Sequence, residues 1–219
     1  MISNFQISLG EIKEKITKIG TGLLESNKLL LRALDDCNPE TFNTAKQHIK
    51  NISSKTDEID NAIIKVLALY TPEASDLRQV VAYMKISNEL SRASSSTRSF
   101  IRGFTDVCKD VDVNTIKEYA VPMQASTVKA IELALSMLEC DDTDEIQELY
   151  NDVLIEENKT DDLYEIVERK LSEQADGIQA FDRFHTMLRA LRKSGKIASR
   201  IISVANLLVY AKVGGNFSS

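Results

Sequence analysis

The side chains able to do chemistry are few and unevenly placed. The 219 residues include two histidines, His48 and His185, each inside a helical pattern, and no serine–histidine–acid set can be read from spacing. There is no glycine-rich phosphate loop. The chain therefore does not read as an enzyme. Carboxylates are more plentiful. Asp57 and Asp60 stand three apart, and Glu157 and Asp161 stand four apart with Asp162 alongside, so each pair falls on one helix face. Helical bundles hold hard cations such as magnesium or iron(III) with oxygen ligands from facing helices. The alternative is a solvated acidic face, and the helices opposite decide between the two.

A second charged group is basic: Arg183, Arg189, Arg192, Lys193, Lys196 and Arg200. It could form ion pairs with the acidic helix before it or dock an acidic partner, and internal pairing is the favoured reading because the net charge is −6. Phosphate is another candidate occupant, but one helix alone does not converge three donors. The acidic balance leaves no basic field for nucleic acid.

These residues must be positioned by helices. Only eight glycines and three prolines interrupt the chain, and 43% of it is hydrophobic. Apolar residues at Ile12, Ile16, Ile19, Leu23, Leu30 and Leu34 mark one face of a helix over 5–34, with Gly20 and Gly22 inside it. Asn38-Pro39 opens a second helix as N-cap and first-turn proline. Phe42, Ala45, Ile49, Ile52, Ile59, Ile63 and Val66 carry it to 69. A third helix runs from about Glu73 to Phe104, with Leu77, Val81, Met84, Asn88, Ser91 and Ser95 on a face that starts apolar and turns small and polar. The fourth spans about 115–139. The fifth begins after the acidic run at Asp141–Glu145, which suits a helix N-terminus, and ends near Leu171. The sixth runs from about Ser172 to Val213, with Gly177 or Gly195 as places for a bend.

The expectation is an all-α protein of two tandem three-helix bundles, residues 1–108 and 109–219. The Lys-Thr-Asp pattern at 55–57 recurs at 159–161 and modestly supports an internal duplication. Cys37, Cys108 and Cys140 are far apart in sequence and odd in number, so they read as free thiols in a reducing cytosol. The N-terminus does not read as a signal peptide, and the longest apolar stretch, 201–211, is short of a membrane span. A cytoplasmic protein without membrane insertion is expected.

Residues 68–78 resemble the signature that precedes the third helix of the PhoU family: Pro72, Ala74, and then Asp76, Leu77 and Arg78. Residues 80–90 also fit. The resemblance places Asp60 at the family's helix-two aspartate, with Asp161 as its counterpart in the second half. It implies a six-helix regulator that restrains phosphate uptake and phosphate-starvation signalling. Such a protein contacts a sensor histidine kinase and/or a phosphate-transporter subunit, often as a dimer, and lies peripheral to the membrane through those partners. The alternatives are a helical accessory or scaffold protein of another phosphate transporter, and a metal-binding bundle.

Pro72, Asp76 and Arg78 are read as a corner seating the third helix. Pro72 is placed in the first turn, Asp76 near the helix dipole, and Arg78 within reach of an acidic neighbour such as Asp60. The resemblance breaks where family members carry Leu-Glu-Arg-Ile-Gly-Asp, whose acids help ligate iron or zinc. Here the acidic positions are Ser91 and Ser95 and, in the second half, Arg192 and Lys196. Charged Arg and Lys cannot ligate a cation. No metal or other cofactor is expected, and Asp57, Asp60, Glu157 and Asp161 remain only as weak candidates for residual metal binding.

Overall fold

The computed structural model describes residues 3–108, 116–174 and 178–214, without the side chains of 106, 107, 171–174, 178–181, 183 and 184. Helix α1 (Asn4–Asp36) begins at a capping box: the Ser3 hydroxyl accepts from the Gln6 amide, and the Ser3 amide donates to the Gln6 side chain. Asn38 caps α2 (Pro39–His48) by accepting from the Glu40 amide at 2.9 Å, with Pro39 in the first turn.

The helix expected over 39–69 is two helices. After α2 the chain turns at Asn51, in the left-handed region at φ 58°, and α3 runs Ile52–Tyr70. Gly22 of α1 makes room for this break. A Cβ there would lie 2.6 Å from the His48 carbonyl oxygen. Ile49 and Ile52 are buried on either side, so the apolar period runs through the break.

Helix α4 (Ala74–Val107) follows a corner in which Thr71 and Ala74 both have positive φ. Pro72 lies in that corner, two residues before the helix, and not in its first turn. Asp76 is in the first turn as expected. A π-helical turn at Ile116–Ala120 leads into α5 (Val121–Glu139). Pro122 explains it, since a proline cannot donate to the carbonyl four residues back and its ring presses on that carbonyl. The Asp142 carboxylate accepts from the amides of Asp144 and Glu145 at 2.9 Å, at the start of α6 (Thr143–Gln174). Helix α7 spans Ile178–Lys212 and passes Gly195 without interruption. The alternative bend at Gly177 lies outside the described residues.

The fold is all-α, with two three-helix bundles: α1, the α2–α3 pair and α4 form the first, and α5, α6 and α7 the second. They join along α4 and α7, with α1 against α5. Both hydrophobic cores draw on both halves. One is centred on Ile12, Ile16, Ile59, Tyr83, Ile131 and Ile201. The other contains Leu34, Phe42, Phe100, Phe104, Met123 and Met187, with the Phe100 and Phe104 rings edge-to-face at 5.7 Å between centroids.

The face of α4 singled out from the sequence is not its core face. Leu77 and Met84 are 41% and 37% exposed, whereas Val80, Tyr83, Ile86, Leu90 and Ala93 are buried. Nor are all three cysteines free. Cys37 and Cys108, at the C-terminal ends of α1 and α4, form a disulfide with Cα atoms 5.8 Å apart, and Cys140 alone is a thiol. Distance along the chain concealed the pair because α1 and α4 end side by side. Disulfides are uncommon in reducing compartments, so the cysteines no longer argue for a cytosolic location. Among the described residues no helix is long and apolar enough to cross a membrane.

Candidate functional site

Small residues let α4 and α7 approach closely. A Cβ on Gly103 would meet the Ala190 Cβ at 3.5 Å. Ser94 and Thr97 turn their hydroxyls back onto the carbonyls of Leu90 and Ala93, at 2.8 and 3.1 Å. Beneath this seam runs a buried polar chain. Asn27 of α1 donates to Thr97 at 3.2 Å, and Gln124 of α5 donates to the Asn27 side-chain oxygen at 2.9 Å. Ser194 of α7 donates to Gln124 at 3.0 Å and lies 2.9 Å from the Thr127 hydroxyl. All five side chains are fully buried. The chain ties four helices from both halves, and the sequence reading missed it because its members are brought together only by the packing of those helices.

Above the seam, on the outer side, lies a groove of about 370 Å³. Helix α4 supplies Ser91, Ser95, Ser96, Ser99 and Arg92; helix α7 supplies Lys193, Lys196 and Arg200. The structure thus brings Ser91, Ser95 and Lys196 together, although they come from different halves of the chain. Arg192 faces the other flank of α7, where it and Lys196 line a cleft with Asp161, Tyr164 and Glu165. Arg183 lies outside the described side chains.

The expected pairing of this basic group with the preceding acidic helix is not what the structure shows at Glu157 and Asp161. Glu157 accepts from the Ser199 hydroxyl at 3.1 Å, Asp161 lies over Gly195, and neither makes an ion pair with Arg192 or Lys196. Arg200 reaches across the seam instead, to Glu89 of α4 at 3.2 Å, and Arg92 approaches the same carboxylate at 3.8 Å.

The four candidate metal-binding carboxylates form two separate pairs, one on α3 and one on α6. Burial raises the pKa of Asp60, and the charge of Asp57 adds to the effect. One Asp60 oxygen is buried without a hydrogen-bond partner. Burial likewise raises Glu157, aided by Asp161, and raises Asp161, aided by Asp162 and Glu165. A bound cation would need several converging ligands. Among the described residues no three His, Cys, Asp or Glu side chains are placed to hold one, and the groove's donor set of hydroxyls, ammoniums and guanidiniums does not fit a metal cluster. Arg78 does not reach Asp60; its guanidinium lies against Gly214 at the end of α7. His48 and His185 are both exposed.

Residues 16–101, which span α1 through most of α4, match the model of the PhoU domain. A phosphate-specific transport system accessory protein PhoU homolog from Aquifex aeolicus is 27% identical over 154 residues, covering 65% of this chain and 69% of that protein. The first half of the chain thus matches a PhoU domain. The fold agrees throughout its length. The crystal structure of PhoU from Pseudomonas aeruginosa superposes with a TM-score of 0.85 at 20% identity, covering 97% of this chain and all of that one. The phosphate transport system regulatory protein PhoU from Streptococcus pneumoniae gives 0.77 at 17% identity, covering 99% of this chain and all of that one. PhoU-like proteins are regulators and not enzymes.

Proposed function

We propose that this protein regulates phosphate transport and phosphate-starvation signalling through protein–protein contacts with a sensor histidine kinase and/or a phosphate-transporter subunit. The observation that carries the reading is the PhoU-domain match across α1–α4, seconded by a relative named as a phosphate-transport accessory protein. The physical features agree with a contact role. The polar chain and the shared cores hold the two halves in one arrangement, and the outward face of α4 offers Leu77 and Met84 beside the corner at Pro72, Asp76 and Arg78. The proposed working form is a homodimer located at the cytoplasmic face of the membrane through its partners, and the proposed bundle boundary falls between residues 108 and 109.

The test is affinity purification of the tagged full-length chain from its native cells under phosphate-replete conditions, with partners identified by mass spectrometry. Recovery of a phosphate-transporter subunit or a sensor kinase supports the proposal. Recovery of neither, with the bait intact and abundant, contradicts it.

A further inference from the structure

We propose that the groove between α4 and α7 is a binding site for a phosphoryl oxyanion. Four cations approach it, Arg92 from α4 and Lys193, Lys196 and Arg200 from α7, and none of the residues lining it is a carboxylate. The nearby Glu89 is one carboxylate shared between Arg200 and Arg92. Lys193 and Lys196 have no ion-pair partner among the described residues. The carboxylates of α6 that Lys196 also faces lie on the other flank of α7. Like charges so placed repel one another, and an anion between them relieves that repulsion.

The lining selects among anions. Ser91, Ser95 and Ser96 sit on the α4 wall with no hydrogen bond from their hydroxyls among the described residues, whereas the Ser99 hydroxyl is committed to the Ser95 carbonyl. Ser95 is exposed and Ser91 and Ser96 are half-buried, so all three hydroxyls are open to the groove that the cationic arms also line. A small tetrahedral group with several oxygens can take charge-assisted bonds from Lys and Arg and still reach the hydroxyls. A carboxylate, with two oxygens in one plane, satisfies fewer of these donors at once than a tetrahedral group does. The groove's volume is at the small end of ligand sites, which suits a phosphate or a short phosphate chain. Because the walls come from α4 and α7, the bound anion bridges the two halves of the molecule. The proposal is independent of which proteins the chain contacts.

The test is calorimetric titration of the full chain with inorganic phosphate, tripolyphosphate and ATP at fixed ionic strength, with poly-L-glutamate as the competing polyanion. The expected result is saturable one-to-one binding of at least one phosphate compound, and the pattern among the three identifies the source of the phosphoryl group. The double variant Lys193→Gln/Lys196→Gln is expected to weaken binding at least tenfold. Ser91→Ala/Ser95→Ala, which removes two hydroxyls without touching charge, is expected to weaken it about threefold or more, and the distant control Lys65→Gln to leave it unchanged. Circular dichroism confirms that each variant is folded. Absence of saturable binding by all three phosphate compounds, binding of poly-L-glutamate alone, or equal affinity in the double lysine variant would overturn the proposal.

Discussion

Asn27 is a node of the internal polar chain. It donates to the Leu23 carbonyl and to Thr97, and it accepts from Gln124, all in the fully buried interior. Truncating it removes the donor to Thr97 and the side-chain acceptor of Gln124, although Thr97 keeps the Ala93 carbonyl and Gln124 keeps Ser194, and a buried group left short of a partner costs about 1–3 kcal/mol. Asn27→Ala is therefore expected to lower unfolding free energy by about 2–3 kcal/mol in urea titration. A loss no greater than that of an exposed Asn→Ala change would count against the chain of bonds. Asp60 presents the opposite case. Its folded pKa is raised, so the folded state holds the proton more tightly than the unfolded state does. Its relative contribution to stability is most favourable below the unfolded pKa and is lost as pH rises through the folded pKa. Asp60→Asn is thus expected to stabilise the protein at neutral pH, with the advantage fading under acid. Chemical denaturation of both proteins across that range checks the sign. A stability loss at neutral pH would instead mean that the carboxylate has a partner.

Ser91, Ser95, Arg192 and Lys196 were legible as departures from an acidic pattern, but their arrangement was not. Only the packing of α4 on α7 shows that Ser91, Ser95 and Lys196 share a groove while Arg192 turns to the other flank. The donor set predicts that protein purified without chelators carries well under one tightly held iron, zinc or manganese per chain. Elemental analysis measures this, and one or more ions retained per chain through dialysis would reverse the reading.

Among the helices, glycine positions show how local sequence and tertiary contact interact. Gly22 faces the break between α2 and α3 with a backbone oxygen in the way of any Cβ, whereas nothing lies within 4 Å of a Cβ at Gly10. Both lie within α1, where alanine is intrinsically favoured by about 1 kcal/mol. Gly10→Ala is expected to raise stability by up to about that amount. Gly22→Ala is expected to lower it by about 1–3 kcal/mol through overpacking against backbone. Thermal unfolding of the two variants side by side tests the contrast, and equal stabilisation would show that the α2–α3 break does not press on α1.

The same contact explains why the break was invisible in the sequence. Phe42, Ala45, Ile49 and Ile52 keep helical spacing across it, and Asn51 is a single weak signal in an otherwise regular run. The two three-helix bundles were legible because apolar periods are long and breakers few. The core face of α4 was not, because its inward side mixes Val80, Tyr83 and Leu90 with buried Ser87, Ser94 and Thr97, while Leu77 and Met84 on the outward side imitate a core stripe.

Taken together, the two halves form one body built around a shared seam. Each core takes side chains from both bundles, and the Asn27–Gln124–Ser194 chain runs between them. The disulfide pins the ends of α1 and α4 in the first half; it was hidden in the sequence because 71 residues separate its cysteines. The described residues present continuous helical faces on both sides of that seam. The decisive measurement is the rate of radiolabelled phosphate uptake in native cells lacking the gene, compared with cells in which the gene is restored, during growth on ample phosphate. The account predicts faster uptake and premature starvation signalling in the deletion strain, both reversed on restoration. Uptake and signalling unchanged by deletion would contradict it.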